Sequence, residues 1–99
     1  MSESGEKEGQ NSSDFMLEVS NKMGVHARPA AMIVRIASRF EGEIWITKEE
    51  ERVNAKSIMG IMMLAAAKGT LLKFEASKSE VDELKKEMSA LFASKFQDE

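Results

Sequence analysis

From Phe15 onward the apolar residues of this chain switch repeatedly between the two-residue period of a strand and the 3.6-residue period of a helix. Phe15-Met16-Leu17-Glu18-Val19-Ser20 shows the partial alternation of a short strand, punctuated by Asn21-Lys22-Met23-Gly24. Between Ala27 and Phe40, the residues Ala30, Ile33, Val34, Ala37 and Phe40 recur at helical spacing, with Arg28, Arg35 and Arg39 on the other side. Pro29 falls in the first turn, where its missing N–H costs no helical bond, and Gly42 is the stop signal. Ile44-Trp45-Ile46-Thr47 is β-branched and aromatic, and Glu49-Glu50-Glu51 turns it into a returning strand near Arg52-Val53-Asn54. Ser57 suits the cap of a short helix reaching Leu64, with Ile61, Leu64 and Ala65 facing inward. Leu71 to Ala76 reads as another strand. Ser79 is expected to cap a last helix whose inner set is Val81, Leu84, Met88, Leu91 and Phe92, while Glu83, Lys85, Lys86 and Glu87 form its solvated face.

The order β-α-β-β-α-β-α, with a hairpin inside it, predicts an α+β domain with helices packed on one face of a mostly antiparallel sheet. Residues 1–13 (MSESGEKEGQNSS) are polar and are expected to be a disordered tail, so the domain is expected to span 14–99.

Function classes fall away quickly. With no Cys and one His, there is no disulfide framework, no iron–sulfur cluster and no thiolate zinc site, and only carboxylates remain for a metal. No metal and no cofactor are expected. No apolar run approaches the roughly 20 residues that cross a bilayer, and residues 1–14 contain no signal-peptide core. A cytoplasmic protein with no membrane insertion is expected.

Net charge is −3, yet its distribution is uneven. The windows Val19–Phe40 and Val53–Phe74 contain no acid, against Lys22, Arg28, Arg35, Arg39, Lys56, Lys68 and Lys73. All 17 acids lie elsewhere. Either this is chance clustering in a short chain, or the fold has one electropositive face suited to a phosphate or an acidic partner. Nucleic acid is not the expected partner: with no Tyr, five Phe and one Trp, few stacking residues are available.

His26 stands at the entrance of the first helix, in Gly24-Val25-His26-Ala27-Arg28-Pro29-Ala30. A helix entrance presents N–H groups without acceptors and the positive dipole end, so a phosphate on His26 would meet those groups and Arg28. A neutral imidazole is also a competent nucleophile near pH 7. From spacing alone, a cap or surface histidine without function is the more economical reading. Ile58, Met59 and Met62 cannot all face inward on one short helix, so they are either core or an adaptable docking surface. Ser57 needs no role beyond its cap.

The motif Gly24-Val25-His26-Ala27-Arg28-Pro29-Ala30, followed by Ala55-Lys56-Ser57-Ile58-Met59-Gly60 and Ala67-Lys68-Gly69, resembles the HPr phosphocarrier family of the phosphoenolpyruvate-dependent sugar phosphotransferase system. The likeness runs from about Phe15 to Phe96. It implies an open-faced β-sandwich, a four-stranded antiparallel sheet with three helices on one face. It implies that His26 is phosphorylated on Nδ1, that Arg28 stabilises the phosphoryl group, and that Ser57 is a regulatory phosphorylation site. The docking face implied comprises Ala27, Arg28, Ala31, Ile58, Met59 and Met62. The activity implied is that of a stoichiometric phosphoryl carrier rather than an enzyme, a monomer that takes a phosphoryl group from enzyme I and passes it to the IIA domain of a sugar permease. An HPr kinase/phosphorylase acting on Ser57 is a further implied partner. The alternative is a regulatory binding module of the nitrogen-related branch, whose phosphorylation state controls partner proteins. Three features depart from the family pattern: the long leading segment, Glu49-Glu50-Glu51 in place of a Gly-containing turn, and Ser77-Lys78-Ser79 without a Gly before the last helix.

Overall fold

The structure, a computed structural model, describes residues 11–97. Strands β1 (Ser12–Glu18), β2 (Trp45–Lys48), β3 (Glu51–Asn54) and β4 (Leu71–Ser77) alternate with helices α1 (Ala27–Ala37), α2 (Ile58–Met63) and α3 (Val81–Ala93). A further turn, of left-handed backbone, covers Lys95–Gln97. The four strands form one antiparallel sheet in the order β1-β4-β2-β3.

Alternation decides what each sheet face carries. Phe15, Ile46, Leu72, Phe74 and Ala76 point to the helices and are buried, and Phe15, Ile46 and Phe74 lie side by side in register across three strands. The opposite face holds Met16, Trp45, Thr47, Arg52, Lys73 and Glu75, with the Arg52 guanidinium 4.2 Å from the centre of the Trp45 ring. Helix α1 buries Pro29, Ala30, Ile33 and Ala37, and α3 buries the five apolar residues assigned to it. A ladder of phenylalanines crosses the core: Phe15 stacks on Phe74, Phe74 meets Phe92 edge-on, and Phe92 meets Phe96 at 4.9 Å between ring centres.

Several expectations need correction. The first strand begins at Ser12, because Ser12 and Ser13 pair with Ser77 and Ala76, so the ordered domain starts before Asp14. Residues 1–10 of the expected tail lie outside the described residues. Helix α1 ends at Ala37 rather than Phe40; the Arg39 and Phe40 N–H groups turn back to the carbonyls of Ile36 and Ala37. Glu80, not Ser79, is the cap residue of α3, and its carboxylate accepts from the backbone N–H groups of Glu41 and Gly42 instead of closing the helix. Ala65 is exposed at φ +50°, which reverses the chain after α2 and sends Ala66 inward in its place. In the hairpin, Glu49 takes a φ of +54°, as the two-residue turns of primed type require, although Gly is the cheaper residue there.

Candidate functional site

Positions 24–30 are held from below before they can present anything above. Asn21, buried, donates through Nδ2 to the Gly24 carbonyl at 2.8 Å, and the Val25 N–H donates to the Ala66 carbonyl at 2.9 Å. Gly24 takes a φ of +74°, and a Cβ there would lie 2.6 Å from the Ala66 oxygen. Only glycine fits both constraints. Val25 is buried, which leaves His26 as the first exposed residue and as the N-cap of α1.

The His26 side chain makes no capping bond to the helix it precedes. Its backbone carbonyl accepts the first intrahelical bond, from Ala30 at 2.9 Å, and Pro29 occupies a first-turn position where an N–H would have no intrahelical acceptor. The first turn carries no acid, so the positive end of the helix faces the imidazole without local neutralisation. Arg28, two residues on and exposed, donates from Nη1 to the Phe96 carbonyl at 3.2 Å. Phe96 is fully buried, and the chain reaches it through Lys95, Phe96 and Gln97 at φ values of +55°, +57° and +56°. Such left-handed backbone costs of order 1–3 kcal/mol per residue and persists only where the surroundings hold it. Here the ring contact with Phe92 anchors the turn that meets Arg28. Nothing in the sequence pattern points to Phe96 as part of this site.

Helix α2 packs beside α1. Ser57 caps it, its Oγ accepting from the Gly60 N–H at 2.9 Å. Gly60 leaves that position open: a Cβ would stand 3.2 Å from the Ser57 oxygen. Ile61 is buried at 1% exposure, whereas Ile58, Met59 and Met62 are exposed, Met59 at 70%. The choice between core and surface left open by the pattern is thus resolved in favour of surface. Met23 and Met63, not singled out from the sequence, are also exposed. Ala27 is exposed and Ala31 half-buried on α1.

The seven cations of the two acid-free windows do not share one face. Lys73, between inward-pointing Leu72 and Phe74, lies on the sheet face away from the helices. Arg39 is engaged by the Glu87 carboxylate, and Lys56 donates to the Phe40 carbonyl at 2.6 Å. Arg28, bonded to the Phe96 carbonyl, and Arg35 are exposed on α1 itself. No helix among the described residues is long and apolar enough to cross a membrane.

Comparison with known proteins agrees with this arrangement. The family described as PTS HPr component phosphorylation site matches residues 14–94. A phosphocarrier protein HPr from Neisseria meningitidis is 45% identical over 75 residues, covering 76% of this chain and 84% of that protein. One from Treponema pallidum is 43% identical over 83 residues, covering 84% and 94%. The crystal structure of an HPr from Thermoanaerobacter tengcongensis superposes with a TM-score of 0.81 at 44% identity, covering 88% of this chain and 98% of that one.

Proposed function

This chain belongs to the HPr family, the phosphocarriers of the phosphotransferase system, and from that premise we propose that His26 is the residue that carries the phosphoryl group. The observation that supports this best is the exposed imidazole at the start of α1, which makes no capping bond, with Arg28 two residues on in the same first turn. In this reading the Nδ1 lone pair of neutral His26 attacks the phosphorus of phosphorylated enzyme I. The new P–N bond forms as the donor bond breaks, and the same exchange run outward loads a IIA domain of a sugar permease. The chain is consumed and regenerated as a carrier, so its contribution is position and charge. The helix start supplies N–H groups and dipole to the phosphoryl oxygens, and Arg28 supplies a charged donor.

Docking uses the exposed apolar residues of α2, Ile58, Met59 and Met62, together with Ala27, Arg28 and Ala31 of α1. Flexible Met side chains re-pack against more than one partner, which suits a carrier that serves a donor and several acceptors. Ser57 lies in the same surface. A phosphate there sits at a helix N-terminus and is compatible with the fold, while adding about −1.5 to −2 charge to the docking face. An HPr kinase/phosphorylase is the partner that this regulation needs. The chain works as a monomer in the cytoplasm in this reading.

The test is incubation with phosphoenolpyruvate and enzyme I, followed by mapping of acid-labile phosphate. The expected result is a single site at His26 that disappears in His26→Ala; acid-labile phosphate retained in that variant rejects the assignment.

A further inference from the structure

Helix α2 has six residues, and no basic residue stands in its last turn. A helix so short is not stable alone, and its final carbonyls need donors from elsewhere. The donor comes from the tip of the β2–β3 hairpin. Lys48, the last residue of β2, places its Nζ 2.9 Å from the Leu64 carbonyl at the C-cap of α2. A cation at a helix C-terminus is favourable both as a hydrogen-bond donor and toward the dipole.

The two residues after Leu64 carry this contact on toward His26. Ala65 turns the chain at φ +50°, and Ala66 then accepts the Val25 N–H, one residue before His26. Ala66 also lies against Gly24, where no side chain would fit between them. Residues 64–66 are therefore a clasp between the exit of the docking helix and the entrance of α1. A single ammonium group on a third element secures its outer end.

We propose that Lys48 is a positioning residue for phosphoryl transfer: its ammonium fixes the end of α2 and, through the Ala66–Val25 bond, the placement of His26 relative to the docking surface. The proposal rests on the reading of His26 as the phosphoryl carrier. Lys48 touches neither the phosphoryl group nor the partner. Its effect is on docking, because it determines how firmly the exposed residues of α2 are presented beside His26.

Two variants of the full chain test it, Lys48→Met, which keeps the stem and removes the charge, and Lys48→Arg, which restores a cationic donor. In Lys48→Met, amide hydrogen exchange is expected to quicken about tenfold at Leu64, Ala65 and Val25, the loss of roughly one hydrogen bond, and to stay parental at Leu72 and Phe74 in the sheet. The KM of enzyme I for the chain should rise several-fold with kcat little changed, and Lys48→Arg should return both readouts toward the parent. Parental exchange at the three clasp amides overturns the proposal. So does faster exchange spread evenly over the sheet, an unchanged KM, or a Lys48→Arg protein that behaves like Lys48→Met. Failure of the carrier reading is separately visible, as phosphate retained by His26→Ala, and leaves the exchange result standing.

Discussion

The Arg28 guanidinium, in the first turn of α1, donates to the backbone carbonyl of Phe96, 68 residues later and 3.2 Å away. The ring of Phe96 is fully buried, so the guanidinium is tethered to a fixed point of the core while remaining exposed at the helix entrance. A tethered donor loses less freedom on meeting a phosphoryl group than a free side chain does.

Arg28→Ala is accordingly expected to slow phosphoryl transfer to His26 by about 10- to 100-fold, the equivalent of a charged hydrogen bond worth roughly 1.5–3 kcal/mol. The melting temperature should fall by about 4–8 °C for the loss of the hydrogen bond to the Phe96 carbonyl. Rapid-quench transfer from phosphorylated enzyme I and a thermal melt check both. Transfer at the parental rate removes Arg28 from the mechanism.

The position of His26 leaves stability to be gained. Its side chain leaves the helix uncapped, whereas Asp at an N-cap accepts from the first turn and meets the positive dipole end. His26→Asp is expected to raise stability by about 0.5–1 kcal/mol and to abolish carrier activity. Urea unfolding and the phosphorylation assay together test this. A variant less stable than the parent would show that the imidazole supports the fold.

Two neighbours on α2 should behave oppositely. Met59, largely exposed, is expected to tolerate Glu with a stability change within about 0.5 kcal/mol and to lose affinity for enzyme I, because a charge enters an apolar contact. Ile61→Ala empties a buried site and should cost about 2–5 kcal/mol. Calorimetric binding and denaturant melts distinguish them. Unfolding of Met59→Glu would place that side chain in the core.

Ser57→Ala should cost about 1 kcal/mol through loss of the bond from the Gly60 N–H. Ser57→Asp should melt near the parent, since a carboxylate is also a good cap, while transfer to His26 slows because the charge repels an acidic partner. Added salt should recover part of that rate as the repulsion is screened. If transfer is unaffected in protein phosphorylated on Ser57 itself, the serine is a cap and nothing more.

Much of the architecture is legible in the residues. The inner sets of α1 and α3 come from spacing, and Ser57 as a cap comes from its type and place. The differences share one cause. Ser79 has the side chain of a cap because that preference is local, yet the helix starts after Glu80, whose carboxylate is drawn to the Glu41 and Gly42 amides from a distant loop. Ala65 is inward by period, but the reversal at its positive φ ends the period there. Lys73 belongs by sequence window with the cations of the helices, and the strand's alternation puts it behind the sheet.

What the sequence determines by itself is whatever depends on near neighbours: the period of each segment, the cap of α2, and the motifs around His26 and Ser57 that mark the family. What only the tertiary structure decides is which distant groups meet at the site. The pairings of Arg28 with Phe96, Val25 with Ala66 and Lys48 with Leu64 join backbone carbonyls to partners on other elements. Every residue offers such a carbonyl, so its identity carries no signal, and only the packed core brings one particular carbonyl within reach of one particular donor.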